Sequence, residues 1–166
     1  MAAKDIKMLL LDSDGVLTDG SIWVGENGEL AQKYYVRDGL AIQMLQKSSI
    51  KIGVITGRIS KSLPKRLEDL KVTLLYQGAK DKIKVYEEIL QQEGLTDQEV
   101  AYMGDDWPDF DLLKRVGFSA APCDAIPEVL KIVNFVSPFP GGRGAIRSLA
   151  EVILKAQGKW AYGEQS

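Results

Sequence analysis

Short apolar runs alternate with longer amphipathic stretches along almost the whole chain. The runs have the length of strands and are apolar at successive positions, as in strands buried on both faces. We interpret five runs as strands: Met8–Leu11, Lys51–Ile55, Val72–Tyr76, Val100–Met103 and, more weakly, Gly117–Ala121. Strands that alternate with helical patterns form βαβ units. The sequence therefore predicts an α/β fold whose doubly wound, mainly parallel sheet carries helices on both faces.

The amphipathic stretches between these runs are predicted to be helices. They cover residues 39–47, 60–70, 81–93, 109–116, 127–133 and 145–157. Gly94 directly follows the third helix and suits a left-handed position at its end. Thr96 and Glu99 have the spacing of a capping box. The length of 166 residues fits one domain, so we predict a single unit over 1–166.

One segment, residues 20–35, breaks the alternation. Ile22–Val24 and Leu30–Tyr35 have strand-like composition and flank Asn27-Gly28, and Asn-Gly is the strongest short signal for a β-hairpin. An isolated hairpin is only marginally stable in water, and its aromatic rings would be exposed. We therefore predict a projecting hairpin arm after the first strand that packs against another subunit. The alternative is that its aromatic residues cover the core of their own subunit.

The composition excludes several kinds of chemistry. There is no histidine and only one cysteine, Cys123, which excludes intrachain disulfides, Cys/His zinc sites and histidine-based triads. Lysine and arginine number 21 against 23 aspartates and glutamates, without long runs of either sign, so neither nucleic acid nor a membrane is an expected partner. The apolar run before Asp12 is too short for a signal peptide, and the cytoplasm is expected. Carboxylates, hydroxyls and lysine remain as reactive groups.

Polar side chains follow the predicted strands at their carboxyl ends, where open α/β sheets bind ligands. Singly, each of them also fits an ordinary turn or helix cap. Together they would place acids, a hydroxyl and an amine on one sheet edge, which predicts a functional site. These residues are Asp12 and Asp14 after the first strand, Thr56 after the second, Lys82 after the third, and Asp105, Asp106 and Asp109 after the fourth.

The predicted cluster is suited to Mg²⁺ and phosphate. Crowded carboxylates raise one another's pKa unless a cation lies among them. Oxygen ligands without histidine or cysteine favour Mg²⁺, which bridges carboxylates to phosphate oxygens. A phosphate there would lie between Mg²⁺ on one side and Lys82 and the Thr56 hydroxyl on the other, as phosphoryl transfer requires. The Asp12 carboxylate would then be placed to attack in line.

These residues resemble a known family. Asp12–Gly20, Thr56–Arg58, Lys82 and Gly104–Asp109 are similar, in order and spacing, to the four motifs of the haloacid dehalogenase-like phosphatases. Three further segments, 36–42, 76–78 and 141–147, resemble the 3-deoxy-D-manno-octulosonate 8-phosphate phosphatases, and this likeness runs from about Ile6 to Lys159. The resemblance implies a Rossmann-like domain. Most members of this superfamily close over the substrate with a cap domain, but 166 residues leave no room for one, so we expect a domain without a cap.

The resemblance also implies roles for individual residues. Asp12 would be the nucleophile that forms an aspartyl-phosphate, and Asp14 the general acid and then the general base. Mg²⁺ would be bound by the Asp12 side chain, the Asp14 backbone carbonyl and Asp105. Thr56 and Lys82, with Gly57 beside them, would bind the phosphoryl group. Asp106 and Asp109 would support the fourth motif.

The implied substrate is 3-deoxy-D-manno-octulosonate 8-phosphate, which is hydrolysed to the sugar acid and phosphate in lipopolysaccharide precursor biosynthesis. Arginine suits bidentate recognition of its carboxylate, and Arg58 and Arg66 are the candidates. Arg66 fits a solvated helix face equally well. Related nonulosonate 9-phosphate phosphatases have glutamate in place of Arg58, which favours the octulosonate. A nonulosonate 9-phosphate or another small sugar phosphate remains the alternative.

The implied assembly is a homotetramer in which a neighbouring subunit covers each site. Residues 158–166 are predicted to be a flexible tail, with Trp160 and Tyr162 folding toward a neighbouring site. A frayed terminus is the alternative.

Ser13 departs from the family pattern, which usually has a small apolar residue there. Its side chain should point away from Asp12 and Asp14, so the change concerns packing more than chemistry. No histidine is present to activate it as a nucleophile.

Two other functions remain to be weighed. A receiver-type signalling domain also combines aspartate, Mg²⁺, threonine and lysine, but it would need an acceptor aspartate where this chain has Tyr76-Gln77-Gly78. A catalytically silent structural subunit is disfavoured by the intact set of acids and Lys82.

Overall fold

Six parallel strands form the central sheet. The structure, a computed structural model, describes residues 2–160. The order of strands is β5-β4-β1-β6-β7-β8, and every neighbouring pair is parallel. The strands are β1 Met8–Leu11, β4 Lys51–Ile55, β5 Leu74–Tyr76, β6 Val100–Met103, β7 Phe118–Ala121 and β8 Phe135–Val136, with β2 Trp23–Gly25 and β3 Gly28–Ala31 in a separate hairpin. The predicted fold class is confirmed.

Residues 2–160 form six α-helices, of which five lie between strands and the sixth follows β8. They are α1 Val36–Lys47, α2 Ser62–Asp69, α3 Lys82–Glu93, α4 Phe110–Arg115, α5 Pro127–Leu130 and α6 Ala145–Ala156. Gly94 ends α3 in the left-handed conformation, and Thr96 and Glu99 form the expected capping box. Both ends therefore follow from local sequence.

The structure differs from the predicted elements at several ends. Helix α1 begins at Val36, three residues earlier than predicted, and α5 ends at Leu130, three residues before its predicted end. The third predicted strand starts two residues late, because the Val72 amide donates to the Leu67 carbonyl and closes the end of α2. Strand β8 was not predicted, because two residues carry too little pattern to be recognised.

Strand β1 lies in the middle of the sheet and contributes to both cores. Leu9 and Leu11 pack with α1, α2 and α6 on one face, whereas Met8 and Leu10 pack with α3, α4 and α5 on the other. All four side chains are fully buried, because alternate residues of a strand point to opposite faces. The burial fixes the carboxyl end of β1, where Asp12 begins the site.

The hairpin arm is confirmed, although β2 begins one residue later than predicted and β3 covers 28–31 instead of 30–35. Glu26 and Asn27 form its turn, and Gly25 pairs with Gly28. Gly28 has a φ of +98°, which favours glycine. Beyond Ala31 the chain leaves the hairpin and passes the site.

The end of the described chain packs on the domain. Trp160 contacts the core formed by α1 and α6, and the Arg147 guanidinium lies 5.1 Å from the centre of its ring. Residues 161–166, including Tyr162, lie outside the described residues, so the flexible tail stays a prediction. Among residues 2–160, no helix has both the length and the apolar character needed to cross a bilayer.

Candidate active site

The segment after β1 brings two acids to the sheet edge. The Asp12 amide donates to the carbonyl of Met103 on β6, and the Ser13 amide donates to Asp12 Oδ1 at 2.7 Å. Gly15 follows with a φ of +85°, and a Cβ at this position would lie 1.9 Å from Asp105 Oδ2. Only glycine allows the first and fourth motifs to approach so closely.

The glycine-rich segment 141–144 supports this turn. The Gly142 amide donates to the Val16 carbonyl at 3.0 Å, and a Cβ on Gly141 would lie 1.8 Å from the Gly15 carbonyl oxygen. The backbone of the segment therefore packs directly on the backbone that carries Asp14. Gly141 and Gly142 are explained by this close approach of backbones, and Gly144 by its φ of +115°.

Five side chains form what we call the inner cluster: Asp12, Lys82, Tyr102, Asp105 and Asp109. Lys82 Nζ lies 3.0 Å from Asp12 Oδ1 and 2.6 Å from Asp109 Oδ1. Burial alone would lower the pKa of Lys82, but the charges of Asp12 and Asp109 outweigh it and raise the pKa. Lys82 is therefore a fixed cation at the edge of the sheet.

The carboxylate of Asp109 is fully occupied by hydrogen bonds. Its Oδ1 accepts from Lys82 and from the Tyr102 hydroxyl, at 2.6 and 2.5 Å. Its Oδ2 accepts from the amides of Asp105 and Asp106, at 2.9 and 3.3 Å. Four bonds use the usual capacity of a carboxylate. Asp109 thus positions its neighbours and has no oxygen free for a metal.

Asp12 and Asp105 have the chemistry of a divalent-cation site. Carboxylate oxygens of Asp12, Asp105 and Asp109 lie within 4.8 Å of one another. Burial and the Asp109 charge raise the pKa of Asp12 to about 7. Burial and the charges of Asp12, Asp109 and Asp106 raise the pKa of Asp105 to about 8. Among the described residues nothing donates to the Asp105 carboxylate, so a cation bound there would satisfy its oxygens and offset the repulsion.

A second group of side chains, the outer network, surrounds Asp14. Arg58 donates from Nε and Nη2 to the Asp14 carboxylate, at 2.7 and 3.0 Å, and Gln32 donates to Asp14 Oδ1 at 2.6 Å. Arg58 Nη1 also donates to Glu29 Oε2 at 2.5 Å. The other members are Ser60 and Ser62, which donate to Glu29 Oε1 at 2.7 and 3.0 Å. The network joins the hairpin to the second acid of the site.

A cavity of about 320 Å³ separates the two groups. Nearly all of the predicted site residues meet there: the cavity is lined by Asp12, Asp14, Gly20, Thr56, Gly57, Arg58, Lys82, Asp105, Asp106 and Pro108. Asp109 lies directly behind this lining.

Arg66 is not among the residues that line the cavity. Its guanidinium lies 5.8 Å from the centre of the Tyr34 ring and close against Gly39 of α1. Its role in binding substrate stays a prediction.

Sequence reasoning missed five polar residues of the site: Tyr102, Glu29, Gln32, Ser60 and Ser62. Tyr102 is fully buried in β6, and a tyrosine in an otherwise aliphatic strand was the one available signal. The other four reach the site through contacts between distant segments, for which the sequence gives no local sign.

The Ser13 hydroxyl is buried and is the one buried side-chain polar atom of residues 2–160 without a hydrogen-bond partner. It lies beside the predicted nucleophile but contacts no base. This arrangement agrees with an effect of Ser13 on packing.

Comparisons with known proteins identify the class. Residues 27–121 match the haloacid dehalogenase-like hydrolase family. The chain is 40% identical over 157 residues to the 3-deoxy-D-manno-octulosonate 8-phosphate phosphatase KdsC of Escherichia coli, covering 95% of this chain and 84% of that protein. The chain therefore belongs to the haloacid dehalogenase-like hydrolases.

Solved structures support a narrower assignment. The Yersinia pestis 3-deoxy-D-manno-octulosonate 8-phosphate phosphatase has a TM-score of 0.93 at 42% identity, covering 95% of this chain and 85% of that chain. The Moraxella catarrhalis phosphatase, in complex with magnesium ion, phosphate ion and KDO, also has a TM-score of 0.93, at 33% identity over 96% of this chain and 91% of that chain. Within its class, the chain belongs to the 3-deoxy-D-manno-octulosonate 8-phosphate phosphatase family and is a phosphoric monoester hydrolase.

Proposed function

We propose that this protein hydrolyses 3-deoxy-D-manno-octulosonate 8-phosphate, with Mg²⁺, to the free sugar acid and phosphate in lipopolysaccharide precursor biosynthesis. The observation that carries the proposal is the juxtaposition of Asp12, Lys82 and Asp105 across one cavity. The substrate is supported by the family and by the Moraxella catarrhalis relative, whose structure contains magnesium, phosphate and KDO.

The first half of the reaction forms a bond between Asp12 and phosphorus. The free Oδ2 of Asp12 attacks while Oδ1 stays bonded to Lys82 and the Ser13 amide. The ester bond breaks as Asp14 gives a proton to the departing sugar oxygen, which leaves an aspartyl-phosphate. Lys82 and Thr56 bind the phosphoryl oxygens on the side of the phosphate opposite Mg²⁺. Mg²⁺, bound by Asp12, Asp105 and the Asp14 carbonyl, would supply positive charge for the phosphoryl group.

The second half releases phosphate. Asp14, now deprotonated, takes a proton from water as the water attacks phosphorus, and the bond to Asp12 breaks. Arg58 and Gln32 fix the carboxylate of Asp14 beside the cavity for both proton transfers. Two steps at one carboxylate replace a single, more difficult displacement. In this proposal Asp106 caps the turn that carries Asp109 by accepting from the Trp107 amide, and Gly57 leaves room for the phosphate.

The chain is proposed to work as a single phosphatase domain in the cytoplasm. Within residues 2–160 no second domain covers the cavity. A homotetramer would supply that cover, with the hairpin arms in contact. This assembly is supported by three apolar hairpin side chains that are about two-thirds exposed, namely Trp23 at 69%, Val24 at 65% and Leu30 at 69%. Light scattering on wild type and on Trp23→Glu tests this assembly. We expect a tetramer for the wild type and dissociation for Trp23→Glu. A monomeric wild type would contradict the proposed assembly.

A panel of phosphate esters tests the substrate. The expected result with Mg²⁺ is a higher kcat/KM for the octulosonate 8-phosphate than for a nonulosonate 9-phosphate or hexose phosphates. A preference for the nonulosonate would establish the alternative substrate. Turnover also separates an enzyme from a receiver domain, because a receiver would be phosphorylated once per chain without continued release of phosphate.

A further inference from the structure

Glu29 connects the hairpin to the acid of the site through a single guanidinium. Its carboxylate bonds to Arg58 Nη1, while the opposite side of the same guanidinium bonds to Asp14. Glu29 lies on β3 and is 29 residues from Arg58 in sequence. Neither Glu29 nor Ser62 lines the cavity, so Glu29 supports Arg58 from the side away from substrate.

The Glu29 carboxylate is held firmly in its charged form. Burial alone would raise its pKa, but hydrogen bonds from Arg58, Ser60 and Ser62 lower the pKa to about 2. Only 10% of its side chain is exposed, against 33% for Arg58. Glu29 is therefore the more buried member of the pair, and we call it the anchor of Arg58.

We propose that Glu29 is a positioning residue: it orients Arg58, and through Arg58 it places Asp14 for proton transfer to the leaving oxygen. This inference rests on the proposed function, because it requires Asp14 to be the general acid. The guanidinium is planar, so one terminal nitrogen fixed by Glu29 restricts the direction of Nε and Nη2 toward Asp14. Without the anchor, the partly exposed Arg58 side chain can rotate away and take Asp14 with it.

The test compares two leaving groups in Glu29→Gln, which removes the charge at nearly constant shape. A sugar alkoxide needs a proton to leave, whereas p-nitrophenolate leaves without one. Release of the leaving group in a single turnover is measured, because hydrolysis of the aspartyl-phosphate uses Asp14 with either ester. We expect the rate of sugar release to fall roughly tenfold or more. The rate of p-nitrophenolate release should change less than about twofold, because this step requires no acid. Loss of structure alone would lower both rates together.

Two controls make the comparison specific. Glu26→Gln removes the same charge from an exposed position on the same hairpin and should change neither rate. If Glu29→Gln unfolds, Ser62→Ala takes its place, because it removes one of the hydroxyls that bind Glu29. It should also lower the rate on the sugar phosphate more than the rate on p-nitrophenyl phosphate, with a smaller loss than Glu29→Gln.

Asp14→Asn separates the two hypotheses. In single turnover, a loss of at least about a hundredfold in leaving-group release, confined to the sugar phosphate, is expected of a general acid. An equal loss on both esters in this first step would mean that the proposed role of Asp14 as general acid is wrong. A selective Asp14→Asn together with an unselective Glu29→Gln would overturn only the positioning role of Glu29.

Discussion

The two sides of the cavity are built differently. In the inner cluster, the side chains of Lys82 and Asp109 are 4% and 0% exposed, and the groups lie within β6, just after β1 or β6, or at the start of α3. In the outer network, the side chains of Arg58 and Asp14 are 33% and 30% exposed. Its Glu29 lies on the hairpin, and its Gln32 directly follows the hairpin. The sheet therefore fixes the groups proposed to act on phosphorus, whereas the hairpin fixes the group proposed to act on the leaving oxygen.

The largest effect is expected from Asp12→Asn in the inner cluster. The amide has the shape of the carboxylate but is a poor nucleophile, so kcat should fall at least about a thousandfold. Phosphate release and thermal unfolding are the measurements. Asp111→Asn, an exposed acid on α4, is the matched control. Near-full turnover by Asp12→Asn would contradict the aspartyl-phosphate mechanism.

The next prediction compares how much the cations of the inner cluster and of the outer network stabilise the fold. Lys82→Met leaves two buried carboxylates without their cation and should lower the free energy of unfolding by about 3 kcal/mol. Arg58→Met removes a partly exposed cation and should lower it by about 1 kcal/mol or less. Urea unfolding measures both. Equal losses would show that burial does not distinguish the inner cluster from the outer network.

The support behind the turn that carries Asp14 is tested by Gly141→Ala. The new methyl would meet the Gly15 carbonyl oxygen at 1.8 Å, so the turn that carries Asp14 must move. We expect a loss of stability of about 2 kcal/mol and a roughly tenfold lower kcat. Gly25→Ala is the matched change in the hairpin, where the methyl meets only the flexible Leu30 side chain at 3.0 Å. If both variants keep full activity, the glycine segment does not position the site.

A smaller effect is expected from Arg58→Lys in the outer network. Lysine keeps the charge but lacks the planar fork, so it cannot bond to Asp14 and Glu29 in the same way. The expected result is a roughly tenfold lower kcat/KM on the sugar phosphate. The melting temperature should stay within about 2 °C of wild type. Unchanged kcat/KM would mean that charge alone suffices at this position.

The smallest effect is expected from Ser13→Ala. The substitution removes a buried hydroxyl that has no partner, so stability should rise by up to about 1 kcal/mol. Turnover should stay within about twofold of wild type, because Ser13 bonds to no reacting group through its side chain. Calorimetry and a phosphate assay check the two outcomes. A loss of turnover would indicate that the Ser13 hydroxyl takes part in the reaction.

Much of the inner cluster could be predicted because strand ends are local features. Asp12 directly follows the buried run of β1, Asp105 follows that of β6 after Gly104, and these strands are neighbours in the sheet. The roles within the cluster could not be predicted, because Asp109 accepts one of its four hydrogen bonds from Tyr102, a residue within a strand. In the outer network, Asp14 and Arg58 were predicted as site residues. The bonds that join Arg58 to Asp14 and to Glu29 were not predicted, since they connect positions 44 and 29 residues apart.

By itself, the sequence determined the α/β fold, the hairpin and the edge of the sheet at which the acids gather. Each of these depends on a local pattern of apolar residues, turns and caps. Only the tertiary structure decided which carboxylates keep free oxygens, which arginine reaches the cavity and why segment 141–144 needs glycine. Those outcomes depend on contacts between distant segments, such as the backbone of Gly141 against that of Gly15, and side-chain packing settles them after the elements have formed.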